Sequence, residues 1–141
     1  MGLMESLWGE QTPAEGWNVS SNPFRISLRF APLRLSAMKE GRVDLIVSVQ
    51  NTTGQSQLVS IDAMLPRHQL VGFDPTCLHK SSETRVGEIL PRETKEVRVG
   101  IWANNQTKGG DYPLEVHIYS HYLNYNKVIN YIKKSATLRV V

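Results

Sequence analysis

The chain has 141 residues, of which 40% are hydrophobic and 21% charged, a balance that suits one globular domain and excludes a disordered chain. Its 16 basic and 13 acidic residues leave a net charge of +3, which permits an anionic partner without demanding one. The single cysteine, Cys77, excludes an internal disulfide. The sequence has no signal-peptide pattern and no apolar run of about 18 residues, so we expect a cytoplasmic protein that does not contact membrane.

Residues 1–22 are predicted to form an irregular segment ahead of the domain. Glycines and prolines, among them Pro13 and Gly16, interrupt any long element there. Trp8 and Trp17 are too apolar for a plain solvated tail. The sequence leaves open whether these tryptophans lie across the domain, cover an open sheet edge, or dock on a partner.

Residues 23–141 are dominated by alternation of apolar and polar side chains. Every second residue of Phe24–Phe30 is apolar, and the same holds for most of Arg42–Asn51. Successive side chains of a strand point to opposite faces, so a period of two indicates half-buried strands. Further strands are predicted at Leu58–Leu65, Thr84–Leu90, Thr94–Ala103, Tyr112–Tyr122 and around Ala136, Leu138 and Val140.

Turn residues separate these strands at fairly regular intervals, as in Asn51–Gly54 and Lys108–Asp111. About seven short strands with such spacing predict an all-β fold, an immunoglobulin-like antiparallel β-sandwich. One segment is ambiguous, because Val128, Tyr131 and Ile132 of the stretch Tyr125–Lys134 also have helical spacing. Its asparagines and β-branched residues favour a long hairpin arm over a helix.

Three stretches carry a family resemblance: the strand end and turn Val47–Gly54, the leucine-proline turn Gly87–Thr94, and the strand entry Gly110–Val116. Residues 42–141 resemble the immunoglobulin-like modules of bacterial and archaeal proteins, of the cell-adhesion-related and glycosidase-associated kind. The resemblance implies the sandwich fold. It implies no activity, because the members act mostly as spacers or interaction modules and a fold does not determine a function.

Catalytic and metal-binding patterns are weak in this sequence. His117 and His121 share one predicted strand face, but four residues of strand separate them by about 13 Å, too far to chelate one ion. No glycine-rich phosphate loop is present. Cys77 with His79 nearby leaves an enzyme as a minor alternative, without any surrounding signature of a nucleophile. We therefore expect a non-enzymatic protein without metal or cofactor.

The last predicted hairpin is the leading candidate surface. Four of the five tyrosines fall between residues 119 and 131, among several asparagines. Tyrosine supplies rigid apolar area and asparagine adaptable hydrogen bonds, a mixture typical of recognition loops. The candidate partner-binding residues are Tyr119, Tyr122, Tyr125, Lys127 and Tyr131. We predict a protein-interaction or self-assembly module, with a homodimer as one form; the competing interpretation is that these tyrosines only pack across strands.

A second candidate surface is basic. If the first, second and fifth predicted strands share a sheet, one outer face carries Arg25, Arg29, Arg42, Arg98 and Trp102. Arginine beside an exposed aromatic ring can hold phosphates or stack on bases. The alternative function is therefore a weakly basic binder of nucleic acid or another polyanion. Asp44 and Glu96 dilute this charge, so a simple solvated face, with Trp102 covered, competes with it.

Overall fold

A computed structural model describes residues 22–141, and within them the chain forms nine β-strands and no helix. The strands are β1 Phe24–Ala31, β2 Arg34–Leu35, β3 Gly41–Asn51, β4 Gln57–Met64, β5 Val71–Gly72, β6 Ser81–Ile89, β7 Thr94–Ala103, β8 Gly110–His121 and β9 Val128–Val140. The predictions about Trp8 and Trp17 concern residues outside this range. None of the described elements is a helix long and apolar enough to cross a membrane.

The strands form two sheets that pack face to face. One sheet has the order β1-β3-β7-β5, and the other has the order β2-β9-β8-β4-β6. Neighbouring strands are antiparallel except β2 and β9, which pair in parallel at Arg34–Arg139 and Leu35–Val140. This architecture confirms the predicted all-β, immunoglobulin-like sandwich. The first, second and fifth predicted strands do share one sheet, as β1, β3 and β7.

The core lies between the sheets and is built by the alternation that the sequence shows. Inward residues of β3 and β4 such as Leu45, Val47 and Ile61 are almost completely buried. Their neighbours along each strand point to the outer faces. The inward residues of β8 complete the core from the second sheet: Tyr112, Leu114, Val116 and Ile118.

The structure settles the ambiguity of Tyr125–Lys134 in favour of the hairpin arm. Val128 begins the long strand β9, which pairs with β8 over almost its whole length. The helical interpretation is wrong. The backbone N–H and C=O groups that a helix would pair within itself are paired instead with the neighbouring strand. The strands β2 and β5 have two residues each and were not predicted, since two residues are too few to show alternation.

The connection between β4 and β6 is held together by one lysine. The Nζ atom of Lys80 donates to the carbonyl oxygens of Gln69 at 2.5 Å, Val71, and Cys77 at 2.9 Å. Burial lowers the pKa of this ammonium group. Three carbonyl acceptors compensate the loss of water around the charge, so a long polar loop keeps one conformation against the sandwich.

Candidate interaction surface

The hairpin formed by β8 and β9 ends in a tight loop, residues 122–127. The amide of Tyr122 donates to the carbonyl of Lys127 at 2.9 Å, and the amide of Lys127 donates to the carbonyl of Asn124 at 3.2 Å. The side-chain oxygen of Asn124 accepts from the amide of Asn126 at 3.0 Å, the local bond for which asparagine is favoured in turns. Leu123 has a positive φ of 67°. The loop is therefore organised by its own polar groups, while Leu123 projects from it.

Two tyrosines form the centre of the outer face beside this loop. Tyr119 on β8 lies directly opposite Tyr131 on β9, and their rings stack with centroids 5.7 Å apart. The ring of His117 lies 5.7 Å from Tyr131 as well. Burial raises the pKa of the Tyr119 hydroxyl. Tyr119 is thus half-buried beneath its neighbours, and Tyr131 presents the exposed side of the pair.

Tyr125 returns from the loop to cover a buried polar pair. Its ring meets His121 edge-on at 5.1 Å, and the guanidinium of Arg85 on β6 lies 4.8 Å from the tyrosine centroid. Under this cover, the Nε2 atom of His121 and the hydroxyl of Ser60 are 2.7 Å apart. The other ring nitrogen of His121, Nδ1, is buried and has no hydrogen-bond partner among the described residues. Tyr125 therefore stabilises the sheet face in addition to any contact it offers.

The apolar side chains at the end of this hairpin are unusually exposed. We call them the hairpin end: Tyr122, Leu123, Val128, Ile129 and Tyr131. They account for five of the eleven exposed large apolar side chains in the described part of the chain. Each has more than half of its surface accessible, and Leu123 has 75%. Apolar side chains that are exposed singly are normal on a protein surface. Five of them within ten residues are not, and this concentration calls for an explanation.

The residues predicted from the sequence thus divide into two groups. Tyr122, Lys127 and Tyr131 are exposed at the hairpin end, whereas Tyr119 and Tyr125 are partly covered. Leu123 and the pair Val128-Ile129 were missed. The signal that marks them is the break in alternation, because two adjacent apolar residues of a strand or turn cannot both face the core.

Lysines surround the hairpin end. Lys127, Lys133 and Lys134 are all exposed, and residues 122–134 contain no aspartate or glutamate. Lys133 has one acidic neighbour, Glu115 of β8, at 3.8 Å. Glu115 therefore offsets part of the charge of Lys133. The hairpin end thus has a rim of three lysines, with Lys133 on the outer face beside Glu115 and Lys134 on the inner face.

The predicted arginine face exists on the β1-β3-β7 sheet, but its charges are paired. Arg29 lies 3.2 Å from Glu96, Arg42 lies 2.9 Å from Asp44, and Arg98 lies 3.6 Å from the same aspartate. Arg25 approaches Gln50 at 3.4 Å. A phosphate would have to displace these carboxylates, which weakens the case for a polyanion site.

Trp102 and Ile46 also lie on this face, and neither offers an open ring or patch. The guanidinium of Arg42 stacks 4.7 Å above Trp102, which lies over Gly100 so closely that a Cβ there would come within 2.8 Å of the indole. Ile46 of β3 is fully buried, although its ladder partners Arg29 and Arg98 stand on the outer face. The long arginine stems cover it, as such side chains commonly do.

The single cysteine lies in the β4–β6 connection and serves packing. Cys77 is buried, its Sγ is 3.3 Å from the carbonyl oxygen of Trp102, and burial raises the pKa of the thiol. A raised pKa disfavours the thiolate that a nucleophile requires. The backbone of Cys77 lies so close to Gly72 that a Cβ at residue 72 would come within 2.6 Å. Among residues 22–141, no three His, Cys, Asp or Glu side chains are grouped to hold a metal ion.

No protein-family model matches the chain, and no curated protein matches its sequence. Solved structures resemble it in fold. The alkylpurine DNA glycosylase AlkC of Pseudomonas fluorescens, bound to DNA containing an abasic site analog, has a TM-score of 0.51 at 11% identity, covering 84% of this chain. This chain spans 30% of the glycosylase. At this identity the likeness shows the fold alone.

Two further structures have lower TM-scores. The CARDB domain of a Pyrococcus furiosus protein, in complex with di-metal ions, gives 0.46 at 18% identity, covering 89% of this chain and 95% of that domain. A PapD-like domain of human CEP192 gives 0.41 at 11% identity, with 94% and 97% covered.

Proposed function

We propose that this protein is a non-enzymatic interaction module that docks another protein on the hairpin end. The observation that carries the proposal is the clustering of five exposed apolar side chains within residues 122–131. Leaving a large apolar side chain in water forgoes about 1.5–3 kcal/mol of burial free energy, so several together favour a partner that covers them. The resemblance of residues 42–141 to modules that act mostly as spacers or interaction modules is compatible with this proposal.

The backbone of Leu123 is a second, independent support. Leucine at a φ of 67° occupies the left-handed region, which is unfavourable for a residue with a Cβ. Asparagine stands next to it and would fit that conformation at lower cost. Met38, Cys77 and Arg92 share the positive φ, but among these four residues only Leu123 belongs to the hairpin end, and such outliers concentrate where a segment contacts a ligand.

The rim defines the chemistry of the partner. Three lysines and no acidic residue lie within residues 122–134, so a partner with an apolar patch and acidic neighbours complements this surface. A second copy of the chain would bring the same lysines together. The charge therefore favours a different protein over the homodimer that the sequence also allows.

Site-specific cross-linking tests the proposal with a matched control. A photoreactive amino acid replaces Leu123 in one variant and Leu78 in another, because these side chains are 75% and 76% exposed and lie in different loops. In extract from the source organism, we expect one protein to be cross-linked at residue 123 and not at residue 78. Adding the unlabelled wild-type chain should reduce the yield of the cross-linked product, because it competes for the same partner. The Ile129→Ser chain should reduce the yield less.

Two outcomes would contradict the proposal. Equal labelling from both positions means that exposure alone, and not a docking surface, determines the product. A product at residue 123 that consists of two copies of this chain replaces the heterologous partner with self-assembly.

A further inference from the structure

In the described part of the chain, strand β9 has one edge that is largely unpaired. Its 13 residues pair with β8 on one side, but on the other side β2 covers only Arg139 and Val140. Within residues 22–141, no other strand pairs with β9. The edge from the hairpin end to about Thr137 therefore carries backbone donors and acceptors that another strand could use.

The bonds at the end of β9 show which residues direct those groups outward. The amide of Val141 donates to Leu35 at 2.9 Å, and its carbonyl accepts from Ala37 at 2.6 Å, so residue 141 faces the β2 side. Backbone groups alternate between the two edges of a strand. Counting back along the regular part of β9, the outward residues are Tyr131, Lys133, Ser135 and Thr137.

An opening in the side of the sandwich runs beside this edge. A shallow cleft of about 370 Å³ meets β9 at Lys134; Phe24, Arg25 and Ile26 of β1 border it, and Asn22 and Thr52 complete the lining. Ile132 and Ala136 of β9 pack on the core and remain partly exposed. Apolar side chains of an added strand would thus meet the partly exposed Ile132 and Ala136 on the inner side, next to a cleft whose lining is mixed.

Lysines determine which strand can use the edge. Lys133 points to the outer face, and Lys134 occupies an inner-face position at the mouth of the cleft. Charged residues in the middle of an edge strand, especially lysines, hinder pairing with an identical edge. A strand with carboxylates on its outer face would instead neutralise Lys133.

We propose that β9 accepts an extended acidic segment of a partner protein as an additional strand of the five-stranded sheet. This inference rests on the proposed function, since the edge belongs to the same hairpin, and it names the binding mode. Backbone hydrogen bonds to Tyr131, Lys133, Ser135 and Thr137 provide affinity, and alternate apolar side chains pack on Ile132 and Ala136. The acidic side chains of the segment lie on the outer face, against Lys133.

The test uses the full chain and a fluorescent peptide of alternating valine and glutamate, nine residues long. A peptide of alternating valine and lysine is its charge control. Ser135→Pro removes an outward amide and leaves the bonds to β8 in place, because proline is tolerated where the N–H faces away from the sheet. Ser135→Ala keeps the amide and loses the same hydroxyl, which makes it the matched control.

We expect the acidic peptide to bind the wild type and Ser135→Ala alike, and to bind Ser135→Pro at least tenfold more weakly in fluorescence anisotropy. The lysine peptide should not bind. Equal binding to the proline and alanine variants would overturn the inference, as would preference for the lysine peptide. If the acidic peptide still binds the Leu123→Ser variant, the β9 edge binds it without the hairpin end. The two proposals can therefore fail independently.

Hydrogen exchange decides the question if the proline variant does not fold. In the wild type, the amides of Lys133 and Ser135 should exchange at least tenfold more slowly when the acidic peptide is added. The amide of Ala136, which faces β8, should change little. Slowing that depends on chain concentration without peptide would assign the edge to a second copy and overturn the proposal.

Discussion

The ring of Tyr131 stacks on the ring of Tyr119 across the β8–β9 ladder, with planes inclined by only 21°. One ring is half-buried and the other is exposed, so the pair joins the folded sheet to the surface that we propose as a docking site. The same two residues therefore contribute to stability and to recognition, and the two contributions can be measured separately.

A double-mutant cycle measures the stabilising part. Tyr119→Ala and Tyr131→Ala should show a coupling free energy of about 1 kcal/mol in urea unfolding, since stacked aromatic pairs contribute about 0.5–1.5 kcal/mol beyond their buried area. The control pairs Tyr131→Ala with Tyr112→Phe at the far end of β8, and these changes should be additive. Additivity of the Tyr119 and Tyr131 changes would show that the stacking has no energetic effect.

Ser60 is expected to be important for stability despite its size. Ser60→Ala leaves the buried Nε2 atom of His121 without a partner, in addition to Nδ1. An unsatisfied buried polar atom costs about 1–3 kcal/mol, and we expect the free energy of unfolding to fall by that amount. Ser135→Ala, at an exposed position of β9, serves as the control and should change stability little. A loss no larger than the control's would mean that the Ser60–His121 bond is not formed.

Asp62 should make the folded protein less stable as pH rises. Burial, then the nearby carboxylate of Glu83, raises the pKa of Asp62, so the folded chain binds this proton more tightly than the unfolded chain. Stability is consequently lost as pH rises through the raised pKa. Asp62→Asn should be more stable than the wild type at pH 7, by less than about 1 kcal/mol because the group remains near solvent.

The Asp62→Asn gain should disappear when the wild-type carboxyl is protonated, below the ordinary aspartate pKa of about 3.9. Urea unfolding of both proteins at pH 7 and pH 3 measures the difference. Glu83→Gln should also stabilise the protein at pH 7, because it removes the neighbouring carboxylate that helps to raise the pKa of Asp62. A wild type more stable than Asp62→Asn at pH 7 would contradict the reasoning.

Asp74 has the opposite pH dependence. Hydrogen bonds from the Thr76 hydroxyl, and next from the backbone amide of His79, lower the pKa of Asp74 to about 2. The carboxylate also accepts from the amide of Leu78 at 3.1 Å. Its contribution is present above the ordinary pKa and is lost as pH falls toward 2.

Asp74→Asn should therefore speed hydrogen exchange of the Leu78 and His79 amides several-fold at neutral pH. Global stability should change little, because the turn is exposed. Thr76→Val removes one of the same bonds and should have a smaller effect in the same direction. Unchanged exchange in Asp74→Asn would show that the carboxylate does not hold the turn.

The arginine face gives a further prediction about charge. Asp44→Asn combined with Glu96→Gln removes the two carboxylates that pair with Arg29, Arg42 and Arg98. We expect the variant to bind a single-stranded oligonucleotide more tightly than the wild type at low salt, with a steeper salt dependence from counterion release. Wild-type binding as tight as that of the variant would instead favour the polyanion function.

Much of the fold follows from local sequence. The alternation in β1, β3 and β7 reports directly which face of each strand is buried, because side-chain direction along a strand has a period of two. The turn residues mark where strands end. Strands as short as β2 and β5 carry no such signal, and their pairing depends on residues at least thirty positions away.

The candidate surface was predicted only in part. The sequence identified the tyrosine-rich hairpin, but it could not separate Tyr131, which is exposed, from Tyr119, which its neighbours cover. That difference depends on cross-strand register, and register is set by pairing across the whole sheet. The sequence also indicated that Asp44 and Glu96 dilute the arginine face, but which arginine each carboxylate approaches depends on the same register.

The sequence by itself determined the class of fold, the positions of the long strands and the location of the hairpin, because each depends on residues close together in the chain. Only the tertiary structure decided which apolar side chains stay in water, which charges are paired, and which edge of β9 is unpaired. Those properties depend on what lies across the ladder or across the sandwich. The stacked pair of Tyr119 and Tyr131 illustrates this division. The sequence identified the two residues, and only the tertiary structure showed that one ring is half-buried and the other is exposed.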